Sequence, residues 1–481
     1  MLWLCLHLPH LSVEVFTRGA AAPGPLVVVA GRGRRRSVVA VNLGAAAAGI
    51  RPGMALGAAC GLVPELVVRE RDEGAEAGAL AALAGWAGQF TPLVSLVCAG
   101  VLLEVEGSLG LFGGAGGLSE RVEEGAASLG YRACLALAPN PLAAELLARA
   151  GQGDRVTEPA CLEAALASLG LGLLEVPEKV REALRALGVC TLGDCLRLPR
   201  AGLARRFGRE LPEILDRALG RVPDPRSPFV PPPRFASRLE LPAEVAGAET
   251  LLFAAHRLLR ELEGFLAARG SGVDRFCLSL VHRDARPTRV EVGLASPGRD
   301  PKRLLGLLGE RLARTPLPAP VRALGLEATG FSSMTPRSRD LFGGEEEGRP
   351  GEGRLLERLR ARLGDEAVQG LRLVADYRPE RAFQWVSGGE AGPAPADILP
   401  GPAGLRPLWL LPAPVVFRCP PAGVPAGLIL LAGPERIETG WWDSADAARD
   451  YFVAEDAQGS RLWVFRERQG AHRWFAQGIF G

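Results

Sequence analysis

Two carboxylates one residue apart, Glu104 and Glu106, close an apolar run, Ser95-Leu-Val-Cys98-Ala99-Gly100-Val-Leu-Leu103. Side chains alternate along a strand, so both acids share one face. Hard cations such as Mg²⁺ take oxygen ligands, and two ions about 3.5 to 4 Å apart, bridged by carboxylates, align the oxygens of a nucleotidyl transfer. The N-terminal strand, Met1-Leu-Trp-Leu-Cys-Leu-His7-Leu-Pro9-His10-Leu-Ser-Val-Glu14, has no acid in its apolar part to complete such a site. Imidazole is a poor ligand for Mg²⁺, and the side chains of Pro9, Ala99 and Gly100 are none at all. No catalytic residue, metal or cofactor is therefore assigned.

Other chemistry is weakly signalled. The glycine-rich run from Gly107 to Gly117 lacks the Gly-Lys-Ser/Thr ending of a phosphate loop and reads as a loop between strand and helix. The nine cysteines, Cys5, Cys60, Cys98, Cys134, Cys161, Cys190, Cys195, Cys277 and Cys419, are dispersed and mostly flanked by apolar residues. That is the pattern of reduced, buried thiols in a cytoplasmic protein. Cys190 and Cys195, the closest pair, lack the Cys-x-x-Cys spacing of a zinc site. There is no signal-peptide pattern and no apolar run of about 18 residues, so no membrane association is expected.

A length of 481 residues suggests three or four domains, and 48% hydrophobic residues suffice for packed cores. With 56 Lys plus Arg against 54 Asp plus Glu, the formal net charge is +2, so a nucleic-acid surface would have to be a local patch.

The elements that must position these residues resemble those of Y-family translesion DNA polymerases. In that family the first strand carries Asp-x-Asp where His7 and Pro9 stand, and the second reads Ser-x-Asp-Glu-Ala-Tyr-Leu-Asp, with the paired acids at Ala99 and Gly100. The family's Asn-Tyr-Glu-Ala-Arg, which serves the incoming triphosphate, is matched by Asn42-Leu43-Gly44-Ala45-Ala46. Its Asn-Lys-x-x-Ala-Lys is matched by Asn140-Pro141-Leu-Ala-Ala-Glu145. Losses at four places imply a polymerase-like protein that does not polymerise.

The fold class implied is α+β and multidomain. A palm spans 1–165, with fingers inserted at about 11–75 around Gly49-Ile50-Arg51-Pro52-Gly53, whose glycines allow a tight turn. The fingers arginines Arg32, Arg34, Arg35 and Arg36 read equally as a phosphate contact and as a solvated hairpin tip. A helical thumb at 166–224 carries Leu187-Gly-Val-Cys-Thr-Leu-Gly-Asp194, similar to a helix-hairpin-helix. Pro177-Glu178-Lys179 occupies the position of the hairpin's usual Gly-x-Gly, and Arg200, Arg205, Arg206 and Arg209 offer a basic face or a solvated one. A proline-rich linker, 225–234, precedes a β-α-β-β-α-β little finger at 235–332, whose alternation of Val290, Val292 and Leu294 with Arg289, Glu291 and Gly293 predicts a sheet with one open face. Arg275, Arg283 and Arg289 are the candidates there for sequence-independent DNA contact, with ordinary solubility as the alternative.

A flexible linker, 333–352, holds Asp340-Leu341-Phe342, similar to the short peptide by which polymerases dock on the β sliding clamp, or else a local packing segment. The C-terminal region, 353–481, has Gly433-Pro-Glu-Arg-Ile-Glu-Thr-Gly-Trp441-Trp442. With the eroded palm, this run resembles the non-catalytic Y-family members of the bacterial mutasome. The resemblance implies a scaffold that recruits an error-prone replicative-type DNA polymerase and a RecA-like accessory protein to DNA. Trp441, Trp442, Trp463 and Trp474 are the candidate partner contacts, although most of the aromatics are expected in a small β-rich core. Two alternatives stand beside the scaffold: an active polymerase using Glu104 and Glu106, and a protein-bridging module without DNA binding.

Overall fold

Alternation along the first strand sets up the N-terminal architecture. In the computed structural model, which describes residues 1–19, 24–153, 155–334, 350–387, 406–418, 423–443 and 445–480, strand Trp3–His7 lies inside an antiparallel sheet. The order is Val94–Val97, Gly100–Glu104, Trp3–His7, Cys134–Ala138. Trp3 and Cys5 enter one core, with helix Pro141–Ala150 and the thumb. Leu4 and Leu6 enter the opposite one, with helices Glu73–Ala87 and Gly114–Ser128. A strand covered on both faces must be apolar throughout, which is why the segment reads as a continuous hydrophobic run. The apolar run around Ala99 differs from the single strand that its pattern predicts. It is two, joined by a tight turn at Cys98-Ala99, with Ala99 at φ 53°.

The fingers form a three-stranded sheet in the order Ser37–Val41, Leu26–Ala30, Val67–Glu70. Gly49 and Gly53 take positive φ, as their turn requires. Five short helices from Leu162 to Ala218 make the thumb, where Thr191 and Asp194 close a capping box. The proline-rich segment then runs along the palm edge, with the Phe229 amide donating to the Val94 carbonyl at 2.7 Å.

The following elements keep the anticipated β-α-β-β-α-β order: Phe235–Val245, Ala248–Ala267, Ser271–His282, Thr288–Gly298, Pro301–Ala313 and Val321–Ala328. Both helices pack into one core with the sheet, leaving its other face open. Helix Pro350–Leu363 adds to this body through Glu357, which accepts from the Ala295 amide at 2.7 Å and pairs with Arg303. Residues Met1–Arg362 form one compact unit and Leu363–Gly481 a second.

The second unit holds a hairpin, Gln369–Leu373 with Phe383–Ser387, and an antiparallel sheet in the order Trp409–Val416, Trp474–Ile479, Arg461–Glu467, Ala447–Glu455, Ile429–Thr439. Alternation in Arg461–Glu467 sends Trp463 and Phe465 to one core and Val464 to the other.

The eight cysteines described are free. Cys5, Cys195 and Cys277 are buried, but Cys60, Cys98, Cys161 and Cys190 are exposed, so apolar neighbours in sequence did not guarantee burial. Among the described residues no helix is long and apolar enough to cross a membrane.

Candidate functional site

His7 and Gly100 face each other across the central strand pair, and the Leu8 amide donates to the Ala99 carbonyl at 2.7 Å. A side chain at Gly100 would run into the Leu6 carbonyl and stand 3.1 Å from the His7 Cα. The two strands meet too closely there for any Cβ. Burial, and then the nearby Arg149, push the His7 imidazole below its usual pKa, against an opposing hydrogen bond with the Ala99 backbone. Pro9 is exposed in the turn leading to helix Leu11–Thr17.

Glu104 and Glu106 are elsewhere. Glu104 pairs with Trp3, four strand positions from His7, a distance of about 13 Å at about 3.3 Å per residue. The Glu106 carboxylate binds the N-terminal amine at 2.8 Å, while the Glu104 side chain accepts from the Glu106 amide at 3.3 Å. Among the described residues no group of three or more His, Cys, Asp or Glu could hold a metal ion.

The two asparagines of the matched motifs do structural work. Asn42 caps the helix that begins at Leu43, accepting from the Ala45 and Leu26 amides, each at 2.9 Å, and donating to the Gly24 carbonyl at 2.9 Å. Asn140 caps helix Pro141–Ala150 and donates to the Ala218 carbonyl of the thumb at 3.0 Å. Glu145 is buried, and Arg226 binds both it, at 3.2 Å, and Asp224, at 2.7 Å. Sequence reasoning missed this anchor between linker and palm. Its only signal was an acid on an apolar helix face.

The little-finger arginines divide. Register places Arg289 opposite Ser279, and Arg275 opposite Gly293, on the open face of the sheet. Arg289 lies 3.7 Å from Glu327, and Arg283, just beyond strand Ser271–His282, binds Glu244 at 3.0 Å. Arg275 has no acidic partner among the described residues. Glu291 and Glu327 flank Cys277 on the same face, so acids interrupt its positive charge. On the thumb, Arg200 pairs with Asp216, whereas Arg205, Arg206 and Arg209 are exposed without an acidic partner among the described residues. Arg36 of the fingers is tied to Glu70.

In the second unit, Trp463 and Trp474 keep 2% and 3% exposure and belong to the cores, so they are removed as surface contacts. Trp441 and Trp442 are 78% and 59% exposed and pack edge to face at 5.5 Å. Their turn is held by Arg378, which donates to both carboxylate oxygens of Asp443 at 2.9 and 2.7 Å and also grips Asp376. Chiefly through Arg378, the Asp443 carboxyl is drawn down to about 2. The anticipated clamp peptide, Asp340, Leu341 and Phe342, lies outside the described residues.

Residues 12–149 match the model of the impB/mucB/samB family. Protein ImuB from two strains of Caulobacter vibrioides, NA1000 / CB15N and CB 15, is 30% identical over 464 residues, covering 90% of this chain and 100% of that protein. Among solved structures, DinB from Sulfolobus solfataricus is 16% identical, with a TM-score of 0.39 over 68% of this chain and 98% of that one. A Y-family DNA polymerase chimera is 17% identical with a TM-score of 0.40, covering 68% of this chain and 98% of the chimera.

Proposed function

The chain belongs to the ImuB family, and from that premise we propose that it is a non-catalytic, polymerase-like scaffold in translesion synthesis and damage-induced mutagenesis. The observation that carries this reading is the backbone contact at Gly100. Where the family resemblance expects paired acids, one position is a glycine whose Cβ would strike the neighbouring strand, and the other is an alanine in a turn. Restoring a carboxylate there would displace the central strand of the palm, so the site has lost the room for its ligands as well as the ligands. Glu104 and Glu106 do not rescue an enzyme, because Glu104 ends the strand far from His7 and accepts from a backbone amide, while Glu106 lies beyond the strand and binds the N-terminal amine.

The scaffold binds DNA without reading sequence. Exposed Arg205, Arg206 and Arg209 of the thumb join Arg275 and Arg289 of the little finger in this role. Asp340-Leu341-Phe342 docks on the β sliding clamp, and Trp441 and Trp442 present an aromatic surface to the error-prone polymerase or the RecA-like accessory protein. The protein works in the cytoplasm.

Primer extension with Mg²⁺ or Mn²⁺, paired with a salt titration of binding to primed DNA, tests the reading. Salt-dependent binding without incorporation is expected, and incorporation above a contaminant control overturns it. One observation favours the protein-bridging alternative: the ion pairs of Arg283 and Arg289 and the acids Glu291 and Glu327 reduce the positive field of the little finger. Absence of salt-dependent affinity would select that alternative.

A further inference from the structure

A cleft of about 930 Å³ opens in the first unit between helix Leu11–Thr17, the fingers segment at Asn42, the loop at Tyr131 and helix Ala248–Ala267. Val13, Leu43 and Phe253 give it apolar walls, while Glu14, Tyr131 and Arg257 bring polar groups. Three of their atoms, Glu14 Oε2, Tyr131 Oη and Arg257 Nη1, are enclosed yet have no hydrogen-bond partner. Glu14 and Tyr131 keep only 7% and 2% of their exposure. Native folds leave few buried polar atoms unsatisfied, so three beside one cleft call for a missing partner.

The charges around the cleft favour an anion. Arg18 is committed to Glu261, but Arg257 and Arg132 have no acidic side-chain hydrogen bond or ion pair among the described residues. The other titratable group lining the cleft is His10, which immediately precedes the helix that carries Glu14, and the fingers wall brings none. Burial raises the Glu14 carboxyl to about 7, against opposing contributions from the Arg132 amide and from Arg132 and Arg18, so near neutrality it serves partly as a donor. None of these polar groups comes from Asn42–Ala46, the stretch that resembles the family's triphosphate segment.

We infer that this cleft binds a small organic anion, with a carboxylate or phosphate head held by Arg257, Arg132 and the Tyr131 hydroxyl and an apolar body against Val13, Leu43 and Phe253. The test is calorimetric titration of the full-length protein with 4-phenylbutyrate, phenyl phosphate and the neutral 4-phenylbutanol. At least one anion should bind with a Kd below about 1 mM and roughly tenfold more tightly than the alcohol. Arg257→Gln should weaken it roughly tenfold or more. Leu43→Trp, which narrows the cleft from the exposed fingers side, gives a second variant independent of Arg257 and should also weaken binding. Carboxylate-only or phosphate-only binding supports the site and identifies its head group. The inference is overturned if neither anion binds, if the alcohol binds as tightly, or if either folded variant keeps full affinity.

Discussion

Arg18 of the first helical segment and Glu261 of the little finger form an ion pair across 243 positions, with only 3% and 1% of their side chains exposed. Ser237 also donates to Glu261, Arg18 donates to the Arg238 carbonyl at 3.0 Å, and its guanidinium lies 5.0 Å from the centre of the Tyr131 ring. Removing one partner leaves a buried, unpaired charge. Glu261→Ala should therefore cost about 3–5 kcal/mol, while the double change Arg18→Met with Glu261→Leu should cost far less. Urea unfolding of the three proteins measures the difference.

Glu14 gives stability a pH dependence of unusual sign. Its folded carboxyl is raised to about 7 from an ordinary value of 4.5, chiefly by burial. The folded state thus binds more protons than the unfolded one across that window, so stability falls as pH rises through it. Glu14→Gln should be more stable than the parent above about pH 7 by an order of 3 kcal/mol, and the advantage should vanish near pH 4. Denaturant titrations at several pH values, taken as the difference between the two proteins, report it.

Gly100→Asp tests whether the palm can be repaired. The new Cβ meets the Leu6 carbonyl, a backbone atom that cannot swing aside, so a loss of about 1–3 kcal/mol is expected from strain alone. Combining it with His7→Asp and Ala99→Asp should yield no primer extension with Mn²⁺. Incorporation by the triple variant would show that the strand pair can open.

Counterion release separates the thumb from the little finger. Replacing Arg205, Arg206 and Arg209 with Ala should lower the slope of log affinity against log salt by about 2 to 3, at roughly 0.9 per phosphate contact. Arg283→Ala should leave the slope unchanged, because its guanidinium is held by Glu244.

The docking elements should be separable. Leu341→Ala with Phe342→Ala should abolish clamp binding and spare partner capture, whereas Trp441→Ala with Trp442→Ala should do the reverse. Trp463→Ala should instead destabilise the second unit by about 3–5 kcal/mol, because that indole is stacked on Tyr451 in the core. Pull-downs against each partner, with a thermal melt of every variant, distinguish the cases.

Much of the fold was legible because period-two alternation survives wherever a sheet has one wet face. Val290 and Val292, alternating with Arg289 and Glu291, identified both the strand and its open side. Long-range polar contacts were not legible. Nothing around Arg18 indicates a partner 243 positions away, although Glu261, set among Leu258, Leu262 and Phe265 on a helix, was an acid on a buried face and so a detectable anomaly. Alternation alone does not sort Arg275, Arg283 and Arg289 into free and paired, since Glu244 and Glu327 reach Arg283 and Arg289 only through strand register and a turn. The turn at Ala99 was hidden because its flanks are apolar on both sides.

Trp86 sits where helices Glu73–Ala87, Gly114–Ser128 and Ala248–Ala267 converge, and a Cβ at either Gly125 or Gly264 would collide with its indole. Palm and little finger are thereby riveted through one ring that only residues lacking a side chain can accommodate. The first 362 residues should then melt in a single calorimetric event, and a little finger grafted from a distant relative would fit only if it brought its own glycine to that rivet.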